Sequence, residues 1–269
     1  MSIVKFIPSE AKCQSLIRKQ AFPKGLKCPH CGFSRIYKLE NRYRCKRCRK
    51  PFSLKSVSWL KGMRFNYQTF WLLIYCWTKQ IPVDQTSSLT GLSIPTIRKW
   101  FSKFRTQLPY QDWLRLEGNV VIDEMYRGGK KKGYSVVGAK QKGTKNISLT
   151  LIKKPSVDRK DAVTFLENNI KPNSNLFSDG SAIYKGIANW WPVNHYYEVH
   201  SKGQFALTAE IEGLWGNFTT FVRRMYHHVT LKKIEELLYE FFHRFSHPEM
   251  FESPNKFIEI SFKAVPFAF

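Results

Sequence analysis

Apolar and polar positions along this chain follow two rhythms, helical over residues 9–20 and about 58–108 and partly alternating from residue 119. In the first part, SEAKCQSLIRKQ (residues 9–20) predicts a short helix that Pro23 and Gly25 end. From about residue 58 to 108 the spacing is helical again. It runs through NYQTFWLLIYCWTKQ, a break at Pro82 and DQTSSLTGLSIPTIRKWFSKFRTQL, with no strand signal. From residue 119 period two takes over. NVVIDEMYRGG and GYSVVGAK predict a hairpin around a Gly/Lys turn, and NISLTLIKK a third strand, all antiparallel neighbours. VDRKDAVTFLENNI predicts a helix between Pro155 and Pro172, and SNLFSD a short buried strand ending on an acid. SAIYKGIANW predicts another helix and VNHYYEVHS a fifth strand. Leu207, Ile211, Leu214, Phe218, Phe221 and Met225 mark one face of a long helix, and LKKIEELLYEFFHRFSH predicts a final one. PNKFIEISFKAVPFAF is left as a tail.

The second half therefore predicts an α/β domain in which the first and fourth strands are parallel neighbours, the ribonuclease H-like layout. In that layout Asp123 on the first strand and Asp179 at the end of the fourth meet across the pair, and Glu212 on the long helix borders the core. Alternation sends Asp123 and Glu124 to opposite faces, so only one of them points toward Asp179. Taken singly, each acid reads equally as a strand end, a helix cap or half of a surface ion pair. Taken together, three carboxylates suit phosphodiester chemistry. Two Mg²⁺ or Mn²⁺ ions about 3.5–4 Å apart activate the attacking oxygen and stabilise the leaving one, and such hard cations take oxygen ligands.

Charge adds a partner. Lys and Arg number 44 against 20 Asp and Glu, a formal +24, which favours a polyanion because each neutralised phosphate releases counterions. Residues 1–57 hold fifteen of those cations against Glu10 and Glu40, so the amino-terminal segment leads the contact. MSIVKFIPSE has no apolar core of signal-peptide length, and FWLLIYCW is too short to span a bilayer. The expected setting is intracellular and DNA-associated, the cytoplasm in a prokaryote or the nucleus in a eukaryote.

Four of the six cysteines form two CxxC pairs, Cys28–Cys31 and Cys45–Cys48, thirteen residues apart. That spacing predicts a hairpin that closes a tetrahedral structural Zn²⁺ site, while Cys13 and Cys76 read as small buried hydrophobes. His30 lies within the first pair but is not needed to complete the four ligands. Arg42, Arg44, Lys46, Arg47, Arg49 and Lys50 crowd the second pair and suit phosphate contact. QTSSLTGLSIPTIRKW (residues 85–100) has a helix-turn-helix pattern, with Ser93 placed to cap a second helix that carries Thr96, Arg98 and Lys99 outward. A plain helical hairpin has the same periodicity. Trp71, Trp77 and Trp100 read as core.

These blocks together resemble the DDE transposases of the bacterial insertion sequences related to eukaryotic Merlin elements, with an ISXO-like transposase domain and an amino-terminal zinc ribbon. The family's CPxCG and YRCxxC appear as CPHCGF and YRCKRC, its ExDExYxGG as VVIDEMYRGG and its TDGxxxY as FSDGSAIY. Its xNHSxxF appears as YEVHSKGQF and its NxIExxW as AEIEGLW. The family's His-Thr-Asn before the glutamate reads Leu207-Thr208-Ala209 here, a departure that leaves the threonine and Glu212 in place.

The resemblance implies a transposase that binds element ends in double-stranded DNA, cleaves them by metal-dependent hydrolysis and joins the 3′-OH to target DNA. It implies Asp123, Asp179 and Glu212 as catalytic acids, with His200 and Arg223 or Arg224 near the DNA ends. Lys130 and Lys131, at the expected hairpin tip, join the basic residues placed to meet phosphate. A homodimer or larger assembly follows from the need to pair two ends. The expected divisions are a zinc ribbon with its preceding helix at 1–57, a helical helix-turn-helix-like region at 58–116, a ribonuclease H-like catalytic domain at 117–250 and a tail at 251–269. Two other readings share these features: a transposase-derived DNA-binding regulator without catalysis, and a metal-dependent DNA nuclease that cuts without joining.

Overall fold

The computed structural model describes residues 7–40, 42–109, 115–128, 133–198, 207–226 and 229–263. In chain order the elements are α1 (Glu10–Ala21), β1 (Ile36–Lys38), β2 (Tyr43–Cys45), β3 (Pro51–Phe52), α2 (Tyr67–Thr78), α3 (Val83–Thr90), α4 (Ile94–Arg105), β4 (Asn119–Arg127), β5 (Tyr134–Gln141), β6 (Ile147–Ile152), α5 (Arg159–Asn169), β7 (Asn175–Asp179), β8 (Asn194–Glu198), α6 (Ala209–Tyr226), α7 (Leu231–Ser246) and α8 (Pro254–Lys263). They divide into two compact units, Met1–Tyr110 with Glu249–Phe269, and Gln111–Pro248.

In the first unit β1, β2 and β3 form a small antiparallel sheet. The helices are joined by caps. Ser9 accepts a hydrogen bond from Lys12 N at the start of α1, and the neighbouring Glu10 carboxylate accepts from Tyr67 N at 3.0 Å and Gln68 N at 2.7 Å. An anion there satisfies orphan N–H groups at the positive end of α2. The helical region begins at Tyr67, later than the residue 58 expected, because Gly62 turns the chain at φ 88° and Asn66 caps α2 through Thr69 N. Trp71, Trp77 and Trp100 are buried, as their spacing predicts, and so are Cys13 and Cys76. Burial, with Glu10 beside it, pushes the Cys13 thiol up to about 11. Within the stretch expected to be a tail, Pro254–Lys263 is a helix. Its Phe257 packs edge-on against Trp77 and Phe104, with ring centres 4.8 and 5.5 Å away, in geometry that aromatic pairs favour.

In the second unit the strand order is β6-β5-β4-β7-β8. The first two pairings are antiparallel and the last two parallel, so the chain has the ribonuclease H-like fold its strand pattern predicts. One face carries Val120, Ile122, Val137, Ala139 and Leu176 into a core with Ala162, Phe165 and Leu166 of α5. Each fully buried aliphatic side chain there contributes about 1.5–3 kcal/mol. Asp158 and Asp161 form a reciprocal cap that starts α5, and α6 covers the opposite face of β4 and β5. SAIYKGIANW is not the helix its composition suggests: it is a run of turns ending in a 3₁₀ turn at Ile187–Asn189. Gly186 sits at φ 68°, where only glycine is unstrained, and Tyr184 and Ile187 are drawn into the core.

Candidate active site and zinc centre

Asp123 sits where β4 leaves the core. It pairs across the sheet with Gly138 of β5, and two residues before it Val121 pairs in parallel with Phe177 of β7. Alternation therefore puts Asp123 and Asp179 on the same face, the one under α6. The Trp215 indole of α6 donates to Asp123 Oδ2 at 3.0 Å. Gly138 makes that reach possible: a Cβ there would lie 2.4 Å from Trp215 Cη2. Burial chiefly, and then the nearby Glu124 and Asp179, push Asp123 up to about 7 against the opposing indole bond.

Glu124 turns the other way, as alternation requires. Its carboxylate accepts from the fully buried Tyr184 hydroxyl at 2.6 Å and from Tyr126 at 3.0 Å. Burial raises it as well, with the two tyrosines working against the rise. Asp179 accepts from Ser181 N at 3.1 Å, a local bond that orients its side chain at the turn after β7.

Glu212 is exposed on the first turn of α6. The start of that helix is fastened to β5 by an ion pair between the buried Lys140 and Glu210, and Gly143 N also donates to Glu210 at 3.2 Å. Thr208 Oγ1 lies 3.3 Å from Glu212 Oε1. Asp123, Asp179 and Glu212 do not gather into a closed ligand cluster. Among the described residues, Cys28, Cys31, Cys45 and Cys48 make the one such group, their sulfurs within 4.8 Å of one another. The three acids nevertheless suit a hard divalent cation. All are oxygen donors, and the Glu124 and Asp179 carboxylates crowd negative charge around the buried Asp123.

The four cysteines fit Zn²⁺. Cys28 and Cys48 sulfurs are 3.6 Å apart, as are those of Cys31 and Cys45. The two knuckles are alike: His30 N donates to Cys28 Sγ at 3.4 Å and Arg47 N to Cys45 Sγ at 3.3 Å. Gly32 and Arg49 occupy the equivalent left-handed positions, at φ 72° and 61°, and return N–H bonds to the Cys28 and Cys45 carbonyls. Burial resists ionisation of Cys45, but N–H donation from Cys48 and Arg47 outweighs it and lowers the thiol to about 7.

Arg44 and Arg47 are exposed around the second knuckle, and Arg98 and Lys99 on α4. Thr96 is half-buried and bonds Ser93 through their hydroxyls at 2.9 Å, so Ser93 begins α4 without the backbone cap expected of it. The turn before it uses Gly91 at φ 68°. Arg223 and Arg224 are exposed in the last turn of α6. Lys130, Lys131 and His200 lie outside the described residues.

Sequence reasoning missed the roles of Gly138 and Tyr184, and left Trp215 as a helix-face neighbour of Glu212. One signal was present: a glycine inside an apolar strand marks a close approach.

Compared with known families, residues 115–246 match the model of the ISXO2-like transposase domain, and residues 8–51 that of the transposase zinc-ribbon domain. Together the matches cover about two thirds of the chain. No curated protein matches it. Among solved structures, a chain of the simian T-cell lymphotropic virus intasome in complex with PP2A regulatory subunit B56 gamma aligns at 11% identity and a TM-score of 0.33. That alignment covers 65% of this chain and 68% of the other, a likeness too distant to carry an argument. No helix among the described residues is long and apolar enough to cross a membrane.

Proposed function

This chain belongs to the transposases that join a zinc-ribbon domain to an ISXO2-like transposase domain, and on that premise we propose that it cuts and joins DNA with Asp123, Asp179 and Glu212 as its catalytic acids. What supports the reading is one observation: Asp123 and Asp179 share the face of adjacent parallel strands beneath the helix that carries Glu212, with Asp123 held there by Trp215.

The three carboxylates would hold Mg²⁺ or Mn²⁺, which when bound activates the attacking oxygen and stabilises the leaving one. In the first reaction water oxygen bonds to the scissile phosphorus at the element end and the P–O3′ bond breaks, freeing a 3′-OH. In the second, that hydroxyl oxygen bonds to a target phosphorus and a target 3′-oxygen leaves. The chain's own residues orient the acids: Trp215 fixes Asp123, and Ser181 N fixes Asp179. The ribbon and the helical region, with Arg44, Arg47, Thr96, Arg98 and Lys99, bind the element ends, and Arg223 and Arg224 hold DNA near the acids. Two ends require a homodimer or larger assembly.

The test is a single assay with purified protein, Mg²⁺ or Mn²⁺, labelled element-end DNA and a target plasmid, run beside Asp123→Ala. Joined product that vanishes in the variant is expected. Cleavage without joining replaces the transposase with a nuclease, and DNA binding with neither reaction replaces it with a regulator.

A further inference from the structure

Glu198 is the last residue of β8 and pairs in register with Asp179 on the neighbouring parallel strand. Paired residues of parallel strands leave the sheet on one face. Glu198 therefore stands beside the second acid of the site, yet it is only 4% exposed. Both of its oxygens are engaged. Oε2 accepts from Leu207 N at 2.9 Å, and Oε1 accepts from Thr208 N at 2.9 Å and from the Thr208 hydroxyl at 2.7 Å.

Thr208 is the residue on which α6 begins: its carbonyl accepts from Ile211 N at 3.0 Å and Glu212 N at 3.2 Å. A buried carboxylate is costly unless its hydrogen bonds are complete. This one is satisfied by the groups that start the helix, where orphan N–H donors and the helix dipole favour an anion. The Thr208 hydroxyl has one proton for two neighbouring carboxylates, and the 2.7 Å contact assigns it to Glu198 over Glu212 at 3.3 Å. That proton goes to Glu198, and the helix start it fastens carries Glu212 one turn on.

We propose that Glu198 and Thr208 form a clamp that sets Glu212 of α6 against Asp179 of β7, two positioning residues for the metal-holding acids. The proposal rests on the reading of Asp123, Asp179 and Glu212 as those acids. It separates Glu198 from them, because its oxygens are already taken by N–H and O–H donors.

The test uses the zinc-loaded full chain with Mn²⁺ alone as probe, following binding by calorimetry and by the paramagnetic resonance of free Mn²⁺. Cleavage of labelled element-end DNA is then measured across Mn²⁺ concentrations. Glu198→Gln and Thr208→Val are each expected to weaken Mn²⁺ binding about tenfold, the scale of a lost charge-assisted hydrogen bond. The number of ions bound is unchanged, the Mn²⁺ needed for half-maximal cleavage rises by the same factor, and excess Mn²⁺ restores the rate. Thr208→Ser, which keeps the hydroxyl, recovers most of the loss. An ion missing from the stoichiometry of Glu198→Gln makes Glu198 a ligand and overturns the clamp. So does Mn²⁺ binding that is unchanged in both variants while Asp123→Ala abolishes it. A wild-type chain that binds no Mn²⁺ and cleaves no differently from Asp123→Ala sinks the catalytic reading, and the clamp with it. Melting by circular dichroism identifies a variant that does not fold, and the near-isosteric Thr208→Val decides the question if Glu198→Gln is one.

Discussion

Trp215 Nε1 donates to Asp123 Oδ2 at 3.0 Å, tying the long helix to the first strand at the first acid of the proposed site. The bond lowers a carboxyl group that burial raises, so it favours the charged form that a cation needs. Trp215→Phe keeps most of the buried ring and removes the donor. A hydrogen bond to a charged group contributes about 1.5–3 kcal/mol, so Mn²⁺ affinity near pH 7 should fall at least about tenfold. The melting temperature should move far less. Calorimetry on the variant checks both, and unchanged affinity would remove Trp215 from the site.

Gly138 lies opposite Asp123, and the space a Cβ would need is filled by Trp215 Cη2 at 2.4 Å and Cζ2 at 2.7 Å. Gly138→Ala forces the indole aside and should cost about 1–3 kcal/mol, the scale of core overpacking. Phenylalanine lacks those two ring atoms. In a Trp215→Phe background the same alanine should therefore cost much less, a coupling that urea unfolding of the four proteins in a double-mutant cycle measures. Equal costs in both backgrounds would mean the ring is not what fills the site.

Asp123 carries a pH dependence whose sign can be worked out. Its folded value is about 7 against an ordinary 3.8, so between them the folded chain holds a proton that the unfolded chain has released. Stability from this group is present below about 4 and is lost as pH rises to about 7. Asp123→Asn, which cannot ionise, should flatten that part of the melting-temperature profile in metal-free protein. Because Mn²⁺ must displace the proton, its stabilising effect should be greater at pH 8 than at pH 6. Thermal melts with and without Mn²⁺ across this range test both, and parallel profiles for the two proteins would count against the assignment.

The strand order and the separation of Asp123 from Glu124 were legible because both follow from alternation along β4 and from the apolar runs around it. What holds those acids was not. Gly138 signals in sequence only that something approaches the strand closely, and register alone brings it under Trp215, 77 positions later. Tyr184 reads as part of a helix because its neighbours have fair helical composition, and tertiary burial with a hydrogen bond to Glu124 overrides that preference. Helix α8 had its start signals in Ser253 and Pro254, yet its apolar face has meaning only beside Trp77 and Phe104. Long-range partners fix each of these, and periodicity carries no long-range information.

The ribbon offers the last prediction. Its strands are two or three residues long, and its buried side chains are little more than Cys28, Tyr43, Cys45 and Phe52, too small a core to hold a sheet unaided. A bound Zn²⁺ would make up the difference, since metal-binding energy in such a module is folding energy. The chain should carry one Zn²⁺, and a strong chelator or Cys45→Ser should release it and unfold β1–β3, leaving the five-stranded sheet with its own core intact. DNA binding should weaken with it. In the zinc-loaded protein, Arg44→Ala and Arg47→Ala should each lower the slope of log affinity against log salt by about one, as loss of a single phosphate contact does. Elemental analysis, circular dichroism and fluorescence anisotropy across salt concentrations measure these in turn. Full DNA affinity in the metal-free chain would take the ribbon out of the DNA contact.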